Sequence, residues 1–248
     1  MKIEILGCSG SVAKGYPTTS ILINKSVLLD AGSAASILDQ DRLSKISDIL
    51  ITHAHLDHIK ELPFIIDTVS TAGNSLTIWA STETIDILNE NIFNGFVWPH
   101  FNLLDYGKNN LSFKSVSNGW VEINDLKILA LPVDHIMGSV GYVVKEKDKV
   151  VMFSGDTSYM EGFFNHAKEY GENLKAVFAE ISYPDEMSDL ARETCHMTPD
   201  EILKALEFLN PLKTKLFVYH LKPYYMDLII SKLPEGVECI NSGEVFEF

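Results

Sequence analysis

The feature that constrains this chain most is the stretch 52–62, THAHLDHIKEL. Within six consecutive positions it carries three histidines and one carboxylate: His53, His55, Asp57 and His58. The apolar run at 49–51 precedes it, which predicts that the motif begins where a buried strand reaches the edge of a sheet. Side chains at i and i+2 of an extended chain point the same way, so His53 and His55 can bind one ion together. Imidazole and carboxylate ligands favour Zn, Mn or Fe over Ca or Mg, so the stretch predicts a catalytic metal site.

Three further residues of the types that bind metal ions follow predicted strands. The apolar segments 126–131, 150–153 and 216–219 predict strands that lead to His135, Asp156 and His220. We expect the side chains at these strand ends to lie along one edge of a sheet. The ligands are therefore expected to form two groups: His53, His55 and His135 for one ion, and Asp57, His58 and His220 for the other. Asp156 can bridge the two ions because a carboxylate has two oxygens.

The rest of the chain alternates strand-like and helix-like segments. Further strands are predicted at 2–6, 20–23, 26–30, 76–79, 111–116, 140–144 and 176–181, and helices at 34–38, 59–69, 82–92, 159–170 and 198–209. A plausible N-cap for the last helix is Thr198. The glycine-containing loop 7–11 lacks a following GK[ST] and a helix pattern, which excludes a P-loop and a dinucleotide-binding fingerprint. Since no Pro/Gly/Ser-rich linker interrupts the 248 residues, one domain over 1–248 is expected.

Charge and cysteine content limit the partners and the compartment. The net charge is −14 and the chain has two arginines, Arg42 and Arg192, which argues against a nucleic-acid surface. The three cysteines are far apart and form no CxxC motif, as is typical of a reduced cytoplasmic protein. The first residues resemble a strand rather than a signal peptide, and no apolar run approaches the length of a membrane span. A cytoplasmic protein that binds neither membrane nor nucleic acid is expected.

The motifs resemble those of the metallo-β-lactamase superfamily over essentially the whole chain. This resemblance implies an α/β fold, the four-layer αβ/βα sandwich of two similar halves, with two metal ions at the shared edge. HAHLDHI (53–59), AEISYP (179–184) and HMTPDEIL (196–203) are similar to motifs of the class II cyclic-nucleotide phosphodiesterases. LPVDHIMGSVGYVV (131–144) and FSGDT (153–157) also resemble tRNA 3′-processing endonucleases.

Those endonucleases insert a long tRNA-gripping arm between the third histidine and the bridging aspartate. Here His135 and Asp156 are only 21 positions apart, so the cyclic-nucleotide branch is preferred.

The resemblance implies hydrolysis of 3′,5′-cyclic nucleotides, cAMP or cGMP, to 5′-nucleotides. The attacking group would be a hydroxide held between two divalent ions, with Zn as the first choice and Mn or Fe as alternatives. Asp57 is counted with the catalytic residues as well as with the metal ligands. His196 is the candidate proton donor to the leaving 3′-oxygen and Glu180 the residue that orients it. The alternative for His196 is an ordinary helix cap.

The alternative functions are hydrolysis of a lactone or thioester, tRNA 3′-processing, and non-catalytic metal binding. Many relatives are dimers, so a homodimer is also allowed.

The aromatic segment 94–101, NGFVWPHF, has no periodicity. Trp98 and Phe101 are candidates for stacking on the base of a substrate. The alternative is a loop that packs its aromatic rings on the core. His100 in this segment competes with His135 for the role of third histidine ligand, and His135 is preferred because it lies at a strand end within a matching motif.

Overall fold

The computed structural model describes residues 1–104, 110–117 and 119–248. In chain order, the strands are β1 (Lys2–Gly7), β2 (Ser20–Ile23), β3 (Val27–Leu29), β4 (Asp48–Leu50), β5 (Leu76–Ala80), β6 (Leu111–Ser115), β7 (Val121–Ile123), β8 (Leu126–Pro132), β9 (Val140–Glu146), β10 (Lys149–Phe153), β11 (Leu174–Glu180), β12 (Lys215–Tyr219), β13 (Val237–Cys239) and β14 (Val245–Glu247). They form two seven-stranded sheets, with the orders β14-β1-β2-β3-β4-β5-β6 and β13-β12-β11-β10-β9-β8-β7.

Helices cover the outer face of each sheet. They are α1 (Ala34–Ile37), α2 (Gln40–Leu43), α3 (Leu56–Ile59), α4 (Leu62–Thr71), α5 (Thr82–Asn91), α6 (Phe101–Leu104), α7 (Glu161–Ala167), α8 (Ser188–Glu193), α9 (Pro199–Leu209) and α10 (Met226–Ile230). Helix α9 begins after the N-cap Thr198, as predicted, and the Thr198 N–H donates to the Glu201 carboxylate at 3.1 Å. Nowhere in the described ranges is a helix both long and apolar enough to cross a membrane.

Alternating side chains on the strands separate three hydrophobic layers. On β4 and just after it, Leu50 packs between the two sheets, whereas Ile49 and Ile51 pack against the helices of the first sheet. On β11, Phe178 faces the other sheet and Val177 faces the helices of the second sheet. Successive side chains of a strand point to opposite faces, and these strands are buried on both faces, so neighbouring residues pack in different layers. The layers are therefore helix, sheet, sheet and helix, and the predicted αβ/βα sandwich is confirmed.

Local differences from the predicted elements have physical causes. The single helix predicted over 59–69 is two helices, because the N–H of Glu61 donates to the Ala31 carbonyl at 2.9 Å and the chain turns between α3 and α4. Helix α7 is shorter than predicted because Lys168 and Tyr170 form turns with i→i−3 hydrogen bonds. The strands β7, β13 and β14 were not predicted. Each has three residues and lies at or next to a sheet edge, which is too short for a periodic signal.

The candidate functional residues collect where the two sheets meet. Strands β3 to β6 pair in parallel, as do β10 to β13, so their carboxyl ends share one edge in each sheet. A hydrogen bond of 3.0 Å from the Val140 N–H to the Thr52 carbonyl joins the start of β9 to the segment after β4. The contact brings the histidine motif of the first sheet beside the strand ends of the second.

Candidate active site

Three imidazoles form the first candidate metal group: His53, His55 and His135. The first two follow β4 and the third follows β8. His135 Nε2 lies 2.9 Å from His55 Nδ1, and the three ligand atoms lie within 4.8 Å of one another. His53 is buried, His135 is half-buried and His55 is exposed. Three nitrogens at this spacing can bind one ion and leave a position open toward solvent.

The second group consists of Asp57, His58 and His220. The Nε2 atoms of His58 and His220 are 3.2 Å apart, and His220 Nε2 lies 3.2 Å from Asp57 Oδ2. Both histidines are buried, and Asp57 is half-buried at the start of α3. The positions predicted for the second ion therefore also lie together.

Asp156 lies between the two groups. Its Oδ2 atom is 3.2 Å from His220 Nε2, 3.3 Å from His58 Nε2 and 3.7 Å from His53 Nε2. Two buried polar atoms of the cluster, Asp156 Oδ1 and His53 Nε2, have no hydrogen-bond partner within the described part of the chain. Buried polar atoms normally have partners, and metal coordination would supply them here. The donor set and these two atoms fit a divalent-metal centre.

Asp30 orients the second group and was missed in the sequence. It follows β3, and its Oδ2 atom accepts a hydrogen bond from His58 Nδ1 at 2.7 Å. The same carboxylate accepts from the Thr52 N–H at 2.8 Å and from the Thr52 hydroxyl at 2.9 Å. Thr52 Oγ1 is in turn 3.0 Å from His53 Nδ1. This arrangement fixes His58 with Nε2 toward the site, as metal-binding histidines require.

Burial and neighbouring charges set the protonation of the histidines. Burial lowers the pKa of His135 to about 4, although the Asp156 carboxylate opposes the shift. Burial also lowers the pKa of His53 well below its ordinary value. The pKa of His58 is lowered by burial but raised more by the Asp156 and Asp30 carboxylates, so it lies well above its ordinary value. Metal binding at His58 would therefore displace a proton, because imidazole binds metal in its neutral form.

A hydrogen-bonded network connects the predicted proton donor to the second group. Glu180 Oε1 lies 3.0 Å from His196 Nδ1 and also accepts from the Met197 N–H at 3.0 Å. Ser182 Oγ lies 3.2 Å from Glu180 Oε2 and 2.9 Å from His220 Nδ1. Glu180 therefore contacts His196 directly and reaches His220 through Ser182, a residue with no distinguishing signal in the sequence. The cap of α9 is Thr198, so the helix-cap alternative for His196 is wrong.

His196 and the metal groups line one cavity of about 390 Å³. Tyr183 and Lys222 also line it, and the Lys222 ammonium lies 5.1 Å from the centre of the Tyr183 ring. Burial lowers the pKa of His196, but the Glu180 carboxylate raises it more, so this pKa lies above its ordinary value. Lys222 is a cation beside the acidic cluster, and its position two residues after His220 is the sequence signal that could have identified it.

The aromatic segment 94–101 packs elsewhere. The Phe101 ring lies 4.1 Å from that of Phe113 and 5.7 Å from that of Phe93, and the Trp98 ring lies 5.2 Å from that of Phe64. Trp98 and Phe101 pack against the hydrophobic layer between the first sheet and its helices. Neither Trp98 nor Phe101 is among the described residues that line the active-site cavity. These contacts favour the core-packing alternative for both rings. His100 lies next to Gly95 in the same segment, whereas His135 lies in the first metal group.

Sequence and structure comparisons identify the family. A family profile described as "Beta-lactamase superfamily domain" matches residues 20–220. The chain belongs to the β-lactamase superfamily. A Yersinia pestis protein named "Probable 3′,5′-cyclic-nucleotide phosphodiesterase" is 27% identical over 294 aligned positions, covering 95% of this chain and 84% of that protein. The ribonuclease Z of Thermococcus sibiricus is 33% identical over 160 positions, covering 60% of this chain and 49% of that protein. The chain therefore spans about half the length of that relative.

A solved structure of this β-lactamase superfamily fold is similar along the whole chain. The metallo-β-lactamase fold protein YhfI from Bacillus subtilis superposes with a TM-score of 0.80, covering 99% of each chain at 17% identity. The predicted fold and the predicted metal-dependent hydrolase are confirmed at the level of the family. The two relatives themselves are named as a phosphodiesterase and a ribonuclease.

Proposed function

We propose that this protein hydrolyses 3′,5′-cyclic nucleotides to 5′-nucleotides with two divalent ions, Zn being the first choice. The observation that carries the proposal is the buried Glu180–His196 pair, 3.0 Å apart, beside the ligands of both metal groups. A positioned proton donor accelerates departure of a basic 3′-alkoxide, whereas the thiolate of a thioester leaves without one. The name of the Yersinia relative supports the same substrate class.

Different residues of the chain have different roles in the reaction. Bound ions would supply Lewis-acid polarisation of a phosphoryl oxygen and a water of lowered pKa. His53, His55 and His135 would bind one ion, Asp57, His58 and His220 the other, and Asp156 both. Lys222 lines the cavity and can bind a non-bridging phosphoryl oxygen, which offsets the negative field of an acidic protein.

His196 is placed to complete the bond cleavage. Its Nδ1 is held by Glu180, and the imidazole lines the cavity, so Nε2 is the nitrogen that can reach a substrate. Water adds its hydroxyl to phosphorus and releases its other proton to solvent, and the bond from phosphorus to the 3′-oxygen breaks. His196 donates its proton to that oxygen and is reprotonated from solvent. The product is a nucleoside 5′-monophosphate with a free 3′-hydroxyl. Glu180 is a positioning residue that stabilises the protonated imidazole.

A second candidate function is tRNA 3′-processing, favoured by the ribonuclease Z relative. Two observations count against it. The structure describes every residue of 135–156, and β9 and β10 with their short turn fill most of this segment, so it holds no inserted arm. The net charge of −14 also opposes binding of a long polyanion.

A substrate screen tests the proposal. The metal-reconstituted protein should convert cAMP or cGMP to the 5′-monophosphate, detected by chromatography, and should also cleave bis(p-nitrophenyl) phosphate. Asp156→Asn, prepared in the same way, is the control for a contaminating enzyme. Turnover of a lactone, or of a precursor tRNA with a 3′ trailer, without turnover of any cyclic nucleotide would contradict the proposal.

A further inference from the structure

A second cavity adjoins the candidate active site at the same edge of the sandwich. It has a volume of about 540 Å³ and shares His135 and Ile136 with the cavity at the metal groups. The start of α5, the end of β6 and the loop between β8 and β9 form its other walls. Its volume lies within the range of small-molecule sites, about 300–1,000 Å³. No predicted site residue apart from His135 lines it.

Backbone hydrogen bonds tie this cavity to the strand end that carries the histidine motif. Val140, which lines the cavity, donates its N–H to the carbonyl of Thr52, the residue before His53, at 3.0 Å. On the opposite wall, a Cβ at Gly138 would lie 2.7 Å from the Oγ of Ser81, so the loop rests directly on the start of α5. The cavity is therefore held against the strand end that carries the metal ligands, with His135 and Ile136 as shared walls.

The walls combine apolar side chains with unbalanced negative charge. Val116, Pro132 and Met137 contribute apolar surface. The charged groups are Glu83 and Asp134, and no lysine or arginine occurs among the described lining residues. The Asp134 carboxylate accepts a hydrogen bond from the Ser158 hydroxyl. The Glu83 carboxylate has no hydrogen-bond or ion-pair partner in the ranges 1–104, 110–117 and 119–248. A carboxylate acceptor beside apolar walls suits a flat ring with N–H donors, and its charge repels a phosphate.

We propose that this cavity is the nucleobase subsite of the enzyme and that Glu83 selects a guanine-type base. This inference rests on the proposed function. Guanine presents N1–H and the exocyclic amino group side by side, and one carboxylate can accept from both. Adenine offers a donor beside an acceptor nitrogen, which a carboxylate cannot satisfy. Hypoxanthine keeps N1–H but lacks the amino group, so it should bind with intermediate strength. The preferred substrate is therefore cyclic GMP.

Steady-state kinetics of the metal-reconstituted full chain test the inference. The substrates are cyclic GMP, cyclic IMP, cyclic AMP and bis(p-nitrophenyl) phosphate, which has no base. The wild type should rank the three nucleotides in that order by kcat/KM. Glu83→Gln should reduce the preference for cyclic GMP over cyclic AMP by about tenfold to a hundredfold, mainly through KM, because a bidentate base contact is lost. Turnover of bis(p-nitrophenyl) phosphate should not change. Asp86→Asn, an exposed change on the same helix and outside the cavity, is the matched control.

Binding of guanosine, which has no phosphate, separates this inference from the proposed function. Calorimetry should show guanosine binding to the wild type more tightly than adenosine, and more weakly to Glu83→Gln. If that result came from a protein that hydrolyses no cyclic nucleotide, the proposed function would fall and the base subsite would stand. If the wild type hydrolysed cyclic nucleotides but Glu83→Gln left both the nucleotide preference and guanosine binding unchanged, the subsite would fall and the function would stand.

Discussion

The two candidate metal groups have similar ligands but different surroundings. In the group of Asp57, His58 and His220, both imidazoles are buried, and each Nδ1 contacts a side chain, the Asp30 carboxylate or the Ser182 hydroxyl. In the group of His53, His55 and His135, one imidazole is exposed. The Nδ1 partners there are uncharged: the Thr52 hydroxyl lies 3.0 Å from His53 Nδ1 and the Cys195 carbonyl 3.3 Å from His135 Nδ1. The second group is therefore more strongly preorganised, and the first is more open to solvent.

This difference has consequences for the two ions. Side chains that orient metal-binding histidines typically change metal affinity by about 10–100-fold. A buried group held by a carboxylate and a hydroxyl should keep its ion more tightly than a group with an exposed member. The open group, with its exposed imidazole, is then the side where substrate can approach. Substitutions at the shared ligand, at the proton donor and at the orienting side chains should therefore affect the two ions to different extents.

The largest effect is expected for Asp156→Asn. Both ions would lose an anionic ligand and the charge that shields them from each other, so at least one ion should be lost and the other weakened. Phosphodiesterase activity should fall by about 10³-fold or more, since both roles of the ions are affected. Elemental analysis and bis(p-nitrophenyl) phosphate turnover provide the measurements. Asp48→Asn is the control, because this carboxylate accepts from the Trp79 indole N–H at the start of β4, whereas the histidine motif follows the end of that strand. Two full equivalents of metal in Asp156→Asn would rule out the bridging role.

The next effect concerns His196, which lies beside both groups without being counted as a ligand of either. His196→Ala should lower kcat for a cyclic nucleotide by about 10²–10⁴-fold, because proton donation to the leaving oxygen is lost. The loss should shrink for bis(p-nitrophenyl) phosphate, whose phenolate leaves without a proton. Metal content should be unchanged, and His166→Ala, in the amphipathic helix α7, is the control. Equal losses on both substrates would mean that His196 holds a phosphoryl oxygen instead.

The sequence indicated the candidate metal ligands more clearly than the side chains that orient them. The seven ligand-type residues were recognisable because each is a histidine or aspartate near a strand end, and the structure places them together. Asp30 and Ser182 gave no such signal, since they act on histidines 28 and 38 positions away through neighbouring strands of a sheet. Trp98 and Phe101 show the reverse problem. Aromatic residues without periodicity are compatible both with ligand binding and with packing in the core. The contacts of Trp98 with Phe64 and of Phe101 with Phe113 favour packing in the core.

The third prediction tests whether Asp30 accounts for the stronger preorganisation of the second group. Asp30→Asn removes the charged acceptor of His58 Nδ1, and hydrogen bonds to charged groups contribute about 1.5–3 kcal/mol. The affinity for the ion at His58 should therefore fall by about 10–150-fold. The ion at His53 should be affected less, since Asp30 reaches that histidine only through Thr52. Competitive titration with a chelator resolves the two affinities. An equal loss at both sites would contradict the contrast between the groups.

The smallest effect is expected for Ser182→Ala. Its hydroxyl lies 2.9 Å from His220 Nδ1, 3.2 Å from the Glu180 carboxylate and 3.3 Å from His196 Nδ1. The change removes a neutral partner from the second group and leaves the shorter contact of 3.0 Å between Glu180 and His196. A neutral hydrogen bond contributes about 1 kcal/mol, which is about fivefold in an equilibrium constant. The ion at His220 should therefore bind about fivefold more weakly, while the ratio of cyclic-nucleotide to bis(p-nitrophenyl) phosphate turnover at saturating metal should stay constant. Ser70→Ala is the matched control, because Ser70 is buried in α4. If the turnover ratio fell as it should in His196→Ala, Ser182 would belong to the proton-donating unit rather than to the support of the metal ligand.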